Sequence, residues 1–190
     1  CCQFLTIECE KLVLPADASQ DELLAAVEKM NRADHIHGVL LFRPLPKHLQ
    51  QNQAMIENAL LSSKDVDGMT DISMSSVFTG KTEGFPPCTP QACMEILDYY
   101  GIDCKGKKAV VVGRSLVTGK PVAMMLLRRD ATVTICHTKT KDMASLVRAA
   151  DIVIAAVGRA GILDATYFSP GQVVIDVGIN VDKEGKLCGD

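Results

Sequence analysis

Arg114 and Ser115 follow the apolar run at 109–112 and sit in a turn bracketed by Gly113 and Gly119, residue types suited to holding a phosphate. Glycine lets an anion approach the backbone closely, and the start of a helix offers unpaired amides and a positive dipole end. Pro121 stands where a first helical residue is expected. The spacing is GxxxxxG rather than the GxGxxG of the common dinucleotide fingerprint, so the general motif is only partly met.

A helix over 121–129 and then a strand over 131–136 extend this turn into a βαβ unit. In dinucleotide-binding units an acidic residue near the end of the second strand holds the ribose hydroxyls, whereas basic or hydroxyl groups accept a 2′-phosphate. His137, Thr138, Lys139, Thr140 and Lys141 occupy that place, with no carboxylate before Asp142. The chemistry points to NADP rather than NAD, although a basic cluster of this kind also reads as a solvated loop before the helix that begins near Lys141.

Strand and helix signals alternate along the chain. In the second half the strand candidates are 109–113, 131–136, 152–157 and 173–177, nearly all apolar, as parallel strands covered on both faces should be. The first half offers strands over 10–14 and 38–42, a helix after Ser19 with Glu22 completing a capping box, and a helix over 52–61. Thr89 and Pro90 open a further helix that ends at Gly101, and the domain boundary is placed near 87–89.

With 190 residues, 47% hydrophobic, the chain can bury one sizeable core or two small ones, and its net charge of −3 gives no basic surface for nucleic acid. No apolar run approaches the roughly twenty residues that span a membrane, and no secretory leader is evident. The eight cysteines lack paired CxxC spacing, so they read as reduced, mostly buried small hydrophobes rather than metal ligands.

Two stretches of the first half could touch a substrate. At 63–68, SKDVDG sets two carboxylates around a valine, which allows one to point inward from a turn, though Asp with Gly most often marks only the turn. RPLPKH, at 43–48, directly follows a strand candidate, and its prolines stiffen a loop beside a possible cleft.

Taken in order, GVLLFRPLP (38–46), KDVDG (64–68), PCTPQA (87–92), VVVGRSLVTGKP (110–121), TVTICHTKT (132–140), AAVG (155–158), PGQVVIDVGIN (170–180) and GKLCGD (185–190) resemble the methylenetetrahydrofolate dehydrogenase/cyclohydrolase family. The resemblance implies an α/β fold of two domains, the second a Rossmann-like parallel sheet flanked by helices. Residues 1–88 would form the folate-binding catalytic domain and 89–190 the NADP-binding domain. It also implies a cytoplasmic homodimer of one-carbon metabolism, supplying among others purine biosynthesis. This enzyme would oxidise 5,10-methylenetetrahydrofolate with NADP and hydrolyse the methenyl product to 10-formyltetrahydrofolate. By the same resemblance Asp67 binds the pterin, Gly113, Arg114 and Ser115 contact the cofactor, Thr138 lies near its 2′-phosphate and Ile179 beside its nicotinamide. Asp67 suits that role chemically, because a carboxylate can accept hydrogen bonds from both N3 and the 2-amino group of the ring.

The sequence departs from the family's pattern at both ends and at one internal position. The family's catalytic lysine and tyrosine would lie before Cys1, and its closing loop and helix would follow Asp190, so the 190-residue piece alone is expected to be weak or inactive. Where the family carries a glutamine, before the PLP loop, this chain has Phe42 followed by Arg43. A phenyl ring cannot make the amide's hydrogen bonds, which weighs against the hydrolytic step more than against hydride transfer. The competing readings are a non-catalytic NADP-binding or dimerisation module and a dehydrogenase of another small substrate.

Overall fold

The computed structural model describes residues 2–182 and 184–190. Helix α1 (Gln20–Arg32) starts at the anticipated capping box: Ser19 Oγ accepts the Glu22 amide at 3.2 Å, and Glu22 Oε2 accepts the Ser19 amide at 2.8 Å. Its Leu23 packs with Leu45, Leu49 and Ile56 in a small core. Ile56 belongs to α2 (Gln53–Asn58), which is entered through a 3-10 turn over Lys47–Asn52 and is shorter than the expected 52–61. Next come α3 (Asp71–Thr79) and α4 (Cys88–Tyr99). The chain leaves α4 through Gly101, at φ 65°, where the Ile102 amide reaches back to the Leu97 carbonyl at 2.8 Å, the glycine-terminated ending expected from the sequence.

The first half does not form the strands expected at 10–14 and 38–42. Residues 10–14 have no ladder partner among the described residues and leave Leu12 and Val13 exposed. The 38–42 run makes only an isolated bridge, Val39 to Asp65, with the Val39 amide donating to the Lys64 carbonyl at 2.7 Å. An apolar run becomes a strand only when a neighbouring backbone completes its hydrogen bonds. Among its described residues that half is therefore helical with one bridge rather than α/β.

In the second half β1 (Lys108–Val112), α5 (Gly119–Arg128), β2 (Thr132–Cys136), α6 (Met143–Arg148), β3 (Ile152–Ala155) and β4 (Val173–Asp176) succeed one another. These four strands pair in parallel, in the order β2-β1-β3-β4. A hairpin of β5 (Asn180–Val181) and β6 (Leu187–Cys188) lies beyond them.

Side-chain alternation explains why these strands are apolar throughout. Ala109, Val111, Ile152 and Ile154 face Met94 and Leu97 of α4 and Val122 and Leu126 of α5. Val110, Val112, Val153 and Ala155 face the other way, onto Val147 of α6 and Leu163. The central strands β1 and β3 are thus buried on both faces, while the edge strands β2 and β4 are only partly covered, and each fully buried aliphatic side chain contributes roughly 1.5–3 kcal/mol. Of the cysteines, Cys93, Cys104 and Cys136 are buried in these layers, while Cys9 and Cys88 are exposed, so burial is less general than expected. Burial pushes the Cys93 thiol up to about 11, which suits a packing residue rather than a nucleophile. No helix among the described residues is long and apolar enough to cross a membrane.

Candidate functional site

The crossing from β1 to α5 is stitched to both neighbouring strands. Gly113 donates its amide to the Cys136 carbonyl at the end of β2, and Ala156, just past β3, donates to the Val112 carbonyl, each at 2.8 Å. Gly113 has φ 134°, and a Cβ there would strike the carbonyl oxygen of Ala156. A Cβ on Gly119 would strike the Gly113 carbonyl and stand 2.8 Å from the Arg114 nitrogen. Both glycines are needed because three backbone segments meet here.

Helix α5 begins at Gly119 with Thr118 as its cap, so Pro121 is its third residue rather than its first. It remains within the first turn, where a missing N–H costs no helical bond. The helix start is also less open than the sequence suggests. Ser115 Oγ accepts the amides of Thr118 and Gly119 at 3.1 and 3.3 Å, and the Ser115 carbonyl accepts that of Lys120 at 3.0 Å. Among the described residues no hydrogen bond takes the amides at 114–117. The donors open to an anion therefore belong to the loop ahead of α5, joined by the Ser115 hydroxyl hydrogen and the exposed Arg114 side chain.

The strand order reverses between β1 and β3, where Gly113 meets Ala156. In open parallel sheets ligands bind outside the carboxyl ends of the strands at that point. Thr138 lies on the same edge, in a turn after β2 held by the Thr140 amide to the His137 carbonyl at 2.8 Å and the His137 amide to Thr140 Oγ1 at 2.9 Å. That turn leaves Thr138, Lys139 and Lys141 exposed. Ile179 comes after β4 on this edge and is 83% exposed. Its segment is held by the Asp176 carboxylate, which accepts the amides of Gly178 and Asp190, both at 2.8 Å.

The two carboxylates of SKDVDG have opposite environments. Asp65 is fully buried and accepts the amides of Met69 (3.1 Å) and Thr70 (2.8 Å) and the hydroxyls of Thr70 and Ser73 (2.8 Å each). Burial works to raise its pKa, but the Thr70 and Met69 amides and the Ser73 and Thr70 hydroxyls outweigh it and hold the carboxyl below its ordinary value. Lys64 fixes the start of the same turn by donating to the carbonyls of Met30, Asn31 and Ala33 at the end of α1, all at 2.8 Å. So braced, the turn presents Asp67 at the surface.

Asp67 lines a groove of about 530 Å³ with Leu40, Phe42, Arg43 and Gln53 of the first half and Val117 of the β1–α5 loop. Arg43 Nη2 lies 2.7 Å from Asp67 Oδ2, and Arg43 Nη1 lies 3.6 Å from Glu57 Oε1. Gln53 Nε2 donates to the same Glu57 oxygen at 2.8 Å. Phe42 is 82% exposed at the groove and brings no hydrogen-bonding group to it. Among the described residues no cluster of His, Cys, Asp or Glu could hold a metal ion.

Each half of the chain matches a known family domain. Residues 87–190 match the model of the tetrahydrofolate dehydrogenase/cyclohydrolase NAD(P)-binding domain, and residues 1–67 that of the catalytic domain. The chain belongs to the tetrahydrofolate dehydrogenase/cyclohydrolase family. It is 49% identical over 189 residues to a bifunctional protein FolD of Clostridioides difficile, and covers 65% of that protein's length. A crystal structure of the bifunctional enzyme FolD from Campylobacter jejuni superposes with a TM-score of 0.94 at 40% identity, covering all of this chain and 66% of the other. The FolD of Trypanosoma brucei, complexed with NADP cofactor and an inhibitor, superposes at 0.90 with 32% identity, again over all of this chain and 66% of that one. The chain thus spans just under two thirds of the length of its curated relatives.

Within this family member the structure adds residues that the sequence did not single out. Asp65 is the inward carboxylate of the turn, and the hydroxyls of Thr70 and Ser73 downstream were the available sign of its partners. Glu57 and Gln53 reach the groove from α2. Arg43 was visible only as a charge at the head of a proline loop.

Proposed function

We propose that the protein containing this chain oxidises 5,10-methylenetetrahydrofolate to 5,10-methenyltetrahydrofolate with NADP. The observation that carries this reading is the shared groove, in which Asp67 of the KDVDG turn and Val117 of the β1–α5 loop line one cavity. On this reading 1–88 is the folate domain and 89–190 the cofactor domain.

The cradle suits a dinucleotide, because Gly113 and Gly119 let the backbone segments pack closely while the amides at 114–117 take no hydrogen bond among the described residues. Gly113 admits the pyrophosphate, Ser115 donates its hydroxyl hydrogen, Arg114 and Thr138 face the 2′-phosphate, and Ile179 packs beside the nicotinamide. Asp67 accepts the N3 and 2-amino hydrogens of the pterin. NADP, when bound, supplies the acceptor for the hydride released by the methylene carbon, while the folate nitrogens carry the resulting cation. The chain's own contribution is to hold two flat rings in register and exclude water between them.

Hydrolysis of the methenyl product needs managed proton transfers, and the phenyl ring of Phe42 offers none, so this step is slow relative to oxidation. Family resemblance further supports a cytoplasmic homodimer. The reading is tested by following NADPH absorbance with methylenetetrahydrofolate in a form extended to the length of the curated relatives. Turnover with that substrate, and none with hydroxy acids or amino acids, is expected. NADP binding without turnover would point to a non-catalytic module instead.

A further inference from the structure

Resting on that reading, the geometry points to Arg43 as a positioning residue that holds Asp67 in its pterin-binding orientation, with Glu57 and Gln53 as its anchor. Arg43 is one rigid planar group between two carboxylates, 2.7 Å from Asp67 and 3.6 Å from Glu57. Glu57, whose side chain is only 13% exposed, is itself fixed by Gln53 at 2.8 Å. The guanidinium is therefore held from the α2 side, and the more accessible Asp67 is the member whose orientation it dictates.

The contact leaves Asp67 free to work. Arg43 engages Oδ2 alone, and an ionised carboxylate offers about four acceptor positions, so Oδ1 and the remaining lone pairs can still meet two donors of a pterin edge. Fixing the side chain beforehand removes an ordering cost that binding would otherwise carry. Two carboxylates and one guanidinium also leave an excess negative charge beside the groove, which suits a substrate that becomes cationic during oxidation.

The test is a double-mutant cycle in the form extended to the relatives' length. Arg43→Leu is expected to raise KM for methylenetetrahydrofolate about tenfold, lower kcat less than about threefold and leave KM for NADP unchanged. Arg43→Lys should recover part of the loss, because an ammonium keeps the charge but lacks the planar fork that extends from Asp67 toward Glu57. In an Asp67→Asn background, Arg43→Leu should add less than about twofold. A KM unchanged by Arg43→Leu, or a full additional effect in the Asp67→Asn background, would overturn the assignment. If the leucine variant does not fold, the lysine variant carries the same cycle. Calorimetric titration with tetrahydrofolate reads the coupling without turnover. Wild-type protein that binds tetrahydrofolate but oxidises nothing would sink the activity reading alone, whereas no binding at all would sink both.

Discussion

The α-carbon of Gly119 sits so close to Gly113 that a side chain on the first would collide with the carbonyl of the second. This contact folds the β1–α5 loop back on itself and exposes its amides. Gly119→Ala is expected to cost about 1–3 kcal/mol of stability and to weaken NADP binding more than tenfold, by analogy with overpacked close contacts. Thermal melts and fluorescence titration check both. Tight NADP binding by a stable alanine variant would show that the close approach is not what shapes the cradle.

Asp65 links stability to pH. Its folded carboxyl lies below the ordinary value, so its contribution is complete above the ordinary carboxylate range. As the pH falls, the unfolded chain binds a proton first and the contribution is lost down through the folded value. Asp65→Asn would leave donors facing an amide nitrogen, at a cost of about 2–4 kcal/mol at neutral pH. Denaturant midpoints measured from pH 7 to pH 3 should converge for the two proteins. Parallel curves would mean that Asp65 is not the titrating group.

Arg114 is exposed beside the open loop amides, and its role separates the two cofactors. Arg114→Ala is expected to raise KM for NADP at least tenfold and that for NAD less than about twofold, the difference of one charge-assisted phosphate contact. Equal losses for both would assign Arg114 to the shared pyrophosphate.

Phe42 provides a gain-of-function test. In the form extended to the relatives' length, Phe42→Gln is expected to speed the decay of added methenyltetrahydrofolate at least about fivefold, less than the roughly 10²–10⁴-fold of a positioned acid or base because an amide can only orient one. Hydride transfer should change little. An unchanged decay rate would remove Phe42 as the cause of slow hydrolysis.

The second half was readable in the sequence because its central strands are buried on both faces and its turns carry glycine, so composition and punctuation agree. Strands expected at 109–113 and 152–157 appear at Lys108–Val112 and Ile152–Ala155. The first half was less legible, since whether 10–14 or 38–42 forms a strand depends on a partner backbone rather than on its own residues. Gly113, Arg114, Ser115, Thr138 and Ile179 were named from their motifs, and the structure sets them along one sheet edge. Ser115's acceptance of the Thr118 and Gly119 amides could not be read, because an ST-type bond depends on loop geometry. The Arg43–Asp67 pair was hidden by a separation of 24 residues.

Whether one groove brings a folate and a nicotinamide into contact is decided by following a label from one to the other, using 5,10-methylenetetrahydrofolate with two deuterium atoms on the methylene carbon. Mass spectrometry of the cofactor after turnover, in the form extended to the relatives' length, should find NADPH bearing one deuterium. NADPH that forms without the label, or no NADPH at all, would contradict direct transfer across the groove.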